Sequence, residues 1–476
     1  MGKKPISIEV LGNNAESVAG SCTRIKTKDH VYLFELGMIQ EHTTLGNYNA
    51  NSKMIQKIKP KEIDFIVIGH FHCDHICMIP ALYEKGKCDA TIIVPEKSSA
   101  IIREMWLDSC YINQRDLEAI NSKNDRNYQP LYTEAGVFDA LKHIREVKSH
   151  EIIELNEELS IRYSSAGHIL LSMQTEMFIK QNAHVSKILF TSDLGNVTTE
   201  KSRVFVDPFE PVYKSNIVFG ECTYCGERKE ISKQTFEKDL QKIKTVIEQY
   251  CVENRRRVLI PTFSLDRMPY ILWLIYQMFK DEDFNVPIVI DSPLANRLLD
   301  CYSSILEGDA KEKFDEMMAW TNIRRIIEPE ASKAAIADNQ PKVILSSSGM
   351  LTAGRSIKWV QSILPQENDC ILFVGYAGTD TLAHKIKYAK DNKTININGK
   401  PYKNKCAIYD LTSFSSHMQR KDLINYYKSM NCEKIYLVHG DGKDKLGFKE
   451  DLEEAITQCL KSTRVISVNK GMKISI

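Results

Sequence analysis

The stretch Gly69-His-Phe-His-Cys-Asp-His75 decides the fold of this chain of 476 residues. It follows an apolar stretch at residues 65–68 that predicts a strand, and an apolar helix start at residues 76–82 comes next. His70 and His72 are separated by one residue, so both imidazoles lie on one face of an extended backbone. Three imidazoles and a carboxylate at a strand end are typical of a Zn²⁺ site. The alternative is a solvated polar loop, which packing gives no reason to fill with histidines.

Two further strand ends supply residues that complete a two-metal site. His168 follows a strand predicted at residues 159–163, and Asp193 follows another at residues 187–190. Either residue alone is more typical of a turn or a cap. Beside the histidine stretch, we interpret them as the missing ligands, because a carboxylate can bridge two ions about 3.5–4 Å apart.

Short apolar stretches alternate with amphipathic stretches along the whole chain, which predicts the α/β class with a large mixed sheet content. Predicted strands lie at residues 6–11, 31–35, 64–68, 91–94, 159–163, 187–191, 216–219, 258–261, 286–291, 342–345, 370–376, 406–411 and 434–438. Predicted helices lie at residues 96–109, 236–250, 268–281 and 447–460. No Pro- or Ser-rich linker separates them, so a second domain is expected to be inserted tightly.

The ordered set His70-x-His72-x-Asp74-His75, His168 and Asp193 resembles the metallo-β-lactamase fold. Seven later stretches resemble, in order, the β-CASP branch of that fold, which processes nucleic acids. They are Phe219-Gly-Glu-Cys-Thr-Tyr224, Leu259-Ile-Pro-Thr-Phe-Ser264, Ile290-Asp-Ser-Pro-Leu-Ala295, Ser346-Ser-Ser-Gly-Met350, Gly375-Tyr-Ala-Gly378, Ser413-Phe-Ser-Ser-His417 and Leu437-Val-His-Gly440. The resemblance implies an αββα sandwich at residues 1–225 and 384–476, interrupted by an α/β β-CASP domain at residues 226–383.

The resemblance also implies a role for each matched residue. One zinc ion would be bound by His70, His72 and His168, and the other by Asp74, His75 and His417, with Asp193 bridging both. Mn²⁺ is an alternative metal. Asp74 would also act in catalysis, and Glu221 would orient a histidine general acid, for which His384 is the candidate. The alternative for Glu221 is a surface turn carboxylate.

Two stretches depart from the family pattern. Where the family has Asp-x-Gly, this chain has Glu35-Leu-Gly37, so the hydrogen bonds around the metal ligands are expected to shift by one methylene. Where family members of the eukaryotic type read Gly-Thr-Leu-Ala-Lys-His, this chain reads His384-Lys385 after Thr381-Leu-Ala. Either His384 reaches the site after a one-residue backbone shift, or Lys385 faces it and contacts phosphate.

Five other residues are candidates for contacts around the site. Ser348 and Gly349 lie in a loop that can offer N–H groups to a phosphate, and a plain tight turn is the alternative. Arg267 and Arg355 follow family motifs directly and are candidates for phosphate contacts. His439 is expected at the rim of the site or behind the metal ligands.

Composition limits the remaining choices. The 63 Lys and Arg against 62 Asp and Glu give a net charge of +1, which excludes a globally basic coat protein but leaves room for a local basic groove. Thirteen scattered cysteines predict reduced thiols and a cytoplasmic protein. The most apolar stretch, residues 268–279, is too short for a membrane span, so no membrane partner is expected.

The sequence therefore predicts a zinc-dependent ribonuclease that hydrolyses RNA phosphodiester bonds with a metal-activated hydroxide, leaving a 5′-phosphate and a 3′-hydroxyl. Endonuclease action is favoured, because the chain ends shortly after the last motif. A homodimer or an RNA-processing complex is the expected assembly. The alternatives are a small-molecule metallohydrolase of the glyoxalase or lactonase kind and a non-catalytic scaffold subunit of an RNA-processing complex.

Overall fold

The computed structural model describes residues 6–40, 43–124, 127–226, 230–389 and 393–476, with no side-chain detail for residues 123 and 124. The chain divides into two compact units. Unit 1 comprises Met1–Val197, Val206–Lys229 and His417–Ile476, whereas unit 2 comprises Thr198–Phe205 and Glu230–Ser416. The inserted domain is expected to begin at residue 226, but Gly226 belongs to unit 1, and the main part of unit 2 begins at Glu230, after residues 227–229, which lie outside the described residues.

The first sheet of unit 1 has seven strands in the order β22-β1-β2-β3-β4-β5-β6. These are β1 (Ser7–Val10), β2 (Thr23–Lys26), β3 (Val31–Phe34), β4 (Phe65–Val67), β5 (Thr91–Pro95), β6 (Ile144–Val147) and β22 (Lys473–Ser475). The pairs from β3 to β6 are parallel, and the other pairs are antiparallel. The carboxyl ends of β3 and β4 therefore meet at one edge of the sheet.

The second sheet of unit 1 also has seven strands, in the order β21-β20-β11-β10-β9-β8-β7. These are β7 (Ile153–Glu154), β8 (Leu159–Ser165), β9 (Met173–Gln181), β10 (His184–Phe190), β11 (Ile217–Glu221), β20 (Lys434–Val438) and β21 (Arg464–Ser467). The neighbours β10, β11, β20 and β21 run parallel, so the carboxyl ends of these four strands lie side by side.

The two sheets of unit 1 pack face to face. The rings of Phe34 and Phe190, one from each sheet, stack with centroids 4.2 Å apart within a single buried apolar cluster. Helices cover the outer faces: α1 (Thr44–Ile55), α2 (Cys73–Ile76), α3 (Pro80–Tyr83), α4 (Ser99–Asn124), α5 (Glu134–Lys142), α13 (Arg420–Ser429) and α14 (Gly442–Gln458). For example, Tyr427 of α13 packs with Leu437 of β20. This arrangement confirms the predicted αββα sandwich.

Unit 2 is built around a six-stranded parallel sheet in the order β14-β13-β15-β12-β16-β19. Its strands are β12 (Arg257–Pro261), β13 (Ile288–Ile290), β14 (Ile323–Arg325), β15 (Lys342–Ser346), β16 (Cys370–Phe373) and β19 (Ala407–Asp410). Its helices are α6 (Lys233–Ile247), α7 (Arg267–Phe279), α8 (Pro293–Ile305), α9 (Gly308–Met318), α10 (Pro329–Ala337), α11 (Ser356–Ile363) and α12 (Leu382–Lys387). A separate hairpin consists of β17 (Thr394–Ile397) and β18 (Lys400–Lys403).

The end of unit 2 differs from the expected domain limit. We expected the inserted domain to stop at residue 383, but unit 2 continues to Ser416. The reason is that β19 pairs in parallel with β16 and forms the edge of the unit 2 sheet. Residues 384–416 therefore belong to this core rather than to the sandwich. Within the described ranges, no helix is both long and apolar enough to cross a membrane.

Candidate metal centre

The candidate ligands of unit 1 follow the ends of strands or begin a short helix. After β4, His72 caps the amino end of α2, which carries Asp74 and His75. His168 follows β8, and Asp193 follows β10. Both residues are at least 98% buried, so the strand ends direct polar groups into the protein interior.

Four residues form the first cluster: His70, His72, His168 and Asp193. One ligand atom from each lies within 4.8 Å of all the others. The Nε2 atom of His70 is 2.6 Å from Nδ1 of His72 and 3.6 Å from Oδ2 of Asp193. The Nε2 atom of His168 is 3.7 Å from the same oxygen. The structure thus brings together the three histidines predicted for one ion and the predicted bridging carboxylate.

The second cluster consists of Asp74, His75 and His439. The Oδ2 atom of Asp74 lies 3.6 Å from His75 Nε2 and 3.3 Å from His439 Nε2. The other oxygen of Asp193, Oδ1, lies 3.5 Å from His75 Nε2 and 3.1 Å from His439 Nδ1. Asp193 therefore directs one oxygen to each cluster, as a bridging carboxylate would.

His417 and His439 differ from their expected places. We expected His417 beside Asp74 and His75, but His439 lies there instead. His439 directly follows β20, which pairs with β11, and its N–H donates to the carbonyl of Asn14 at 2.6 Å. His417 pairs as an isolated bridge with Gly195, which places its ring against His168, with centroids 4.4 Å apart. His439 follows a predicted strand, as His168 does, and could have been proposed as a ligand on that ground. The spacing of residues along the sequence does not show which strands are neighbours in the sheet.

Glu221 lies beside His417 and is not a surface carboxylate. Its side chain is 99% buried at the end of β11. Its two oxygens accept the N–H of Leu194 at 3.1 Å and the N–H of Thr223 at 2.6 Å. Its Oε1 atom is 3.8 Å from Nδ1 of His417. The carboxylate is thus held rigidly next to a histidine at the edge of the first cluster.

Glu35 reaches the ligands despite its extra methylene. It follows β3 with a positive φ of 59°, which is uncommon for a residue other than glycine. Ser21 and Ser192 donate their hydroxyls to its carboxylate at 2.6 and 2.7 Å. The Nδ1 atom of His75 lies 2.7 Å from the same carboxylate. This contact fixes the His75 ring so that Nε2 faces the second cluster.

Gly37 lets the Glu35 segment lie against the ligand loop. A Cβ atom at this position would be 1.5 Å from the carbonyl oxygen of Asp74. The carbonyl of Ser21 accepts the N–H of Gly37, and the carbonyl of His75 accepts the N–H of Leu36. The backbone of this segment therefore supports α2 directly, which explains the requirement for glycine.

The electrostatics of the two clusters are dominated by buried carboxylates. Burial lowers the pKa of His75, but Glu35, Asp193 and Asp74 outweigh it and hold that pKa well above its usual value. Burial raises the pKa of Asp193, but His439 and His75 outweigh it and hold that pKa well below its usual value. Burial and the neighbouring histidines lower the pKa of His70. These directions favour an ionised Asp193 and a protonated His75, and a bound cation would take the place of that proton.

The same atoms fit divalent metal ions. Within the described part of the chain, the buried atoms Nε2 of His75 and Oδ1 of Asp193 make no hydrogen bond. Unsatisfied buried polar atoms cost about 1–3 kcal/mol each, and bound cations would remove this cost. Imidazole nitrogens with carboxylate oxygens suit Zn²⁺ and also Mn²⁺. The clusters contain no cysteine among the described residues.

The remaining predicted residues belong to unit 2 and are not in either cluster. His384 lies in α12, where its ring contacts the ring of Tyr388 with centroids 4.5 Å apart. Lys385, the next residue of the helix, is exposed. The side chain of Arg355 pairs with Asp291 at 2.7 Å. Their predicted substrate contacts remain predictions.

Two other predicted contacts also belong to unit 2. Arg267 donates to the carbonyl of Val374 at 3.1 Å. Ser348 accepts the N–H of Thr352 at 2.9 Å. Gly349 follows in the same loop, where a Cβ would be 3.2 Å from the backbone of Phe263. These residues shape unit 2, and phosphate contact by them remains a prediction.

A histidine and aspartate centre at the edges of two facing sheets defines a metallo-β-lactamase fold protein. Residues 269–386 match the Beta-Casp domain family, and residues 401–460 match the family described as Zn-dependent metallo-hydrolase RNA specificity domain. These two matches, together with the similar proteins below, support a β-CASP protein of the metallo-β-lactamase fold.

Several curated proteins are similar over most of the chain. The transcription termination factor FttA of Methanocaldococcus jannaschii is 25% identical, covering 94% of this chain and 68% of its own. Ribonuclease TTHA0252 of Thermus thermophilus is 25% identical over 90% of this chain and 91% of its own length. Integrator complex subunit 11 of Danio rerio is 24% identical over 94% of this chain and 71% of its own length.

One solved structure shares the fold. It is a protein of unknown function from Enterococcus faecalis V583, with a TM-score of 0.53 at 11% identity, covering 99% of this chain and all of that one. At this identity, the likeness concerns the fold alone.

Proposed function

We propose that this chain is a metal-dependent ribonuclease that hydrolyses RNA phosphodiester bonds, acting as an endonuclease. The observation that carries the proposal is the pair of clusters sharing Asp193, because two adjacent cations suit an in-line displacement at phosphorus. The match of residues 401–460 to an RNA specificity domain supports RNA as the substrate. The similar protein from Thermus thermophilus is named a ribonuclease, and Endoribonuclease YSH1 of Kluyveromyces lactis, of which the match covers 55%, supports endonuclease action.

Two Zn²⁺ ions, or Mn²⁺ in their place, are the proposed cofactors. His70, His72 and His168 would hold one, Asp74, His75 and His439 the other, and Asp193 both. When bound, such a pair supplies a hydroxide at neutral pH and positive charge for the phosphate oxygens. We extend the proposal to the domains: unit 1 is the catalytic domain and unit 2 is the β-CASP domain.

The protein's own side chains orient the ligands and move a proton. Glu35 holds Nδ1 of His75, which leaves Nε2 to face a cation. Oε1 of Glu221 lies 3.8 Å from Nδ1 of His417, so this carboxylate faces the His417 ring. His417 is then placed to donate its Nε2 proton to the leaving 3′-oxygen, a role expected of His384 from the sequence. The products would be a 5′-phosphate and a 3′-hydroxyl.

Assembly and location complete the proposal. FttA and Integrator complex subunit 11 carry names from transcription termination and from a multisubunit complex, so we propose that this chain acts within an RNA-processing complex or as a homodimer. The thirteen free cysteines support a reducing, cytoplasmic setting. A small-molecule hydrolase is disfavoured, because such a substrate has no use for an RNA specificity domain.

The test uses 5′-labelled and 3′-labelled RNA with purified, metal-loaded protein. We expect internal cuts that a chelator abolishes and that Asp193→Ala eliminates together with metal binding. His150→Ala is the matched control, because His150 is an exposed histidine of unit 1 outside both clusters. If fully metal-loaded wild-type protein cleaves no RNA, the proposal is wrong and the scaffold alternative gains support.

A further inference from the structure

The segment from Lys385 to Lys405 carries a charge unlike that of the rest of the chain. Of the 63 Lys and Arg residues and 62 Asp and Glu residues in the whole sequence, this segment holds seven lysines and one aspartate. The remainder of the chain is therefore net negative by five charges, although the whole chain is at +1. Positive charge is concentrated where a polyanion could bind, and the whole-chain total conceals it.

Residues 387–400 of this segment also lie between the two family matches, which end at residue 386 and resume at residue 401. Here the chain forms the hairpin of β17 and β18, which pair in register from Thr394 opposite Lys403 to Ile397 opposite Lys400. Its turn places Asn398 and Gly399 at positive φ, as a tight hairpin requires. The hairpin is thus an element that neither family description covers completely.

The hairpin is anchored on one side. Ile395 and Ile397 are buried in the same apolar cluster as Ile386 of α12, and Tyr402 packs against that cluster. The N–H of Asn404 donates to the carbonyl of Lys393 at 2.9 Å and closes the base of the hairpin. The backbone of the described hairpin residues is therefore fixed, and its other side remains available for contacts.

The hairpin carries lysines that no acidic side chain of the described ranges neutralises, and an exposed aromatic ring precedes it in the chain. Lys387 and Lys405 pair with Asp410 and Glu367, but Lys393, Lys400 and Lys403 are exposed and make no ion pair within the described residues. Tyr388 directly follows α12; it is 70% exposed, and its ring contacts His384. Lysines together with exposed aromatic rings are the combination by which proteins hold single-stranded nucleic acid.

We propose that this basic hairpin, defined by Lys393, Lys400, Lys403 and Tyr388, is an accessory surface that binds single-stranded RNA. The lysines contact backbone phosphates without regard to sequence, and Tyr388 stacks on one base. The inference rests on the proposed ribonuclease function for the choice of RNA. It adds an anchor for long substrates that is separate from the metal ligands.

The test measures affinity for a phosphorothioate oligouridine of about 16 nucleotides, compared with one of about 4 nucleotides, on the metal-loaded full chain. The triple variant Lys393→Gln, Lys400→Gln, Lys403→Gln should lose about tenfold or more in affinity for the long probe. For this variant, the slope of log affinity against log salt concentration should become shallower by about two, because three phosphate contacts are lost and each contributes about 0.7. Tyr388→Ala should lower the affinity for the long probe by about tenfold.

The matched control is the triple variant Lys53→Gln, Lys57→Gln, Lys61→Gln, which removes three exposed lysines of unit 1 that make no ion pair within the described residues. Equal losses in both triple variants would overturn the inference, because bulk charge would then explain them. Equal or tighter binding of polyglutamate at the hairpin would also overturn it and indicate an acidic protein partner. Circular dichroism and melting confirm that each variant is folded.

Cleavage separates this inference from the proposed function. The hairpin variant should cleave the short RNA at the wild-type rate, because none of its changed residues lies in a metal cluster. If the wild-type chain cleaves no RNA but binding still depends on the hairpin, only the proposed function fails. If the wild-type chain cleaves RNA and the hairpin variant binds the long probe normally, only this inference fails.

Discussion

Replacing Glu35 with the aspartate that is usual in the family should damage this protein. The carboxylate of Glu35 contacts Ser21, Ser192 and His75 at 2.6, 2.7 and 2.7 Å. Aspartate removes one C–C bond, so the carboxylate retreats by about 1.5 Å. The three contacts then lengthen to about 4 Å, beyond hydrogen-bonding distance.

The cost of Glu35→Asp follows from these lost contacts. Hydrogen bonds to a buried charge contribute about 1.5–3 kcal/mol each, and partial relaxation recovers some of this. Aspartate tolerates the positive φ at position 35 better than glutamate, which returns a smaller amount. We expect the free energy of unfolding to fall by about 2–4 kcal/mol. Loss of the support for His75 should weaken metal binding about 10- to 100-fold.

The assay for Glu35→Asp is competition with a fluorescent chelator for Zn²⁺, together with urea unfolding of the metal-free protein. Glu62→Asp is the control, because Glu62 is exposed and belongs to neither cluster. Glu35→Gln keeps the length but removes the charge, so its effect should be intermediate. If Glu35→Asp binds metal and unfolds like the wild type, the three contacts do not support the site and the reasoning is wrong.

Three further predictions follow from the structure. His439→Ala should reduce bound metal from about two ions per chain to about one, whereas His417→Ala should keep both ions and lower the cleavage rate about 10²–10⁴-fold. If elemental analysis instead shows that His417→Ala loses an ion and His439→Ala keeps both, the assignment of His439 as the ligand and His417 as the proton donor is wrong. Gly37→Ala should yield misfolded or metal-free protein, since its Cβ would lie 1.5 Å from a carbonyl oxygen of α2; a normal thermal melt would contradict this. Burial raises the pKa of Glu176, but hydrogen bonds from Arg162 and a lysine of β10 lower it further than burial raises it. The ionised Glu176 carboxylate therefore stabilises the folded protein above the ordinary pKa of glutamate, and this stabilisation is lost as the pH falls through the lowered pKa of the folded state. Glu176→Gln should make the decline of the free energy of unfolding at acidic pH less steep.

The sequence predicts the ligands best where they follow strands in short succession. His70, His72, Asp74 and His75 fall within six residues, and their meaning depends only on local spacing. His439 could not be assigned in this way, because its neighbours come from β11 and β10 and parallel pairing joins strands far apart in the chain. Assigning it requires strand order, which hydrophobic patterns do not contain.

Two other differences have a similar physical origin. The reach of Glu35 depends on a positive φ and on two serines, and neither is apparent from the substitution of Glu for Asp. Motif similarity predicts a domain limit at residue 383, but β19 lies beyond it and pairs with β16 in the unit 2 sheet. A strand beyond the last motif of a domain shows no sign, in its own sequence, of which sheet it joins.

The division of the sandwich into separate chain segments affects the order in which the protein can be completed during synthesis. Unit 2 is fully translated once Ser416 has been added, whereas β20, β21 and β22 of unit 1 come later. The sandwich can therefore be completed only after residues 417–476, which supply three of its strands, have been added. The unit that contains the amino-terminal strands is thus the second to become complete, although domains usually fold from the amino-terminal end during synthesis. His439 arrives in that last segment, so the second cluster cannot be assembled on a nascent chain that still lacks it.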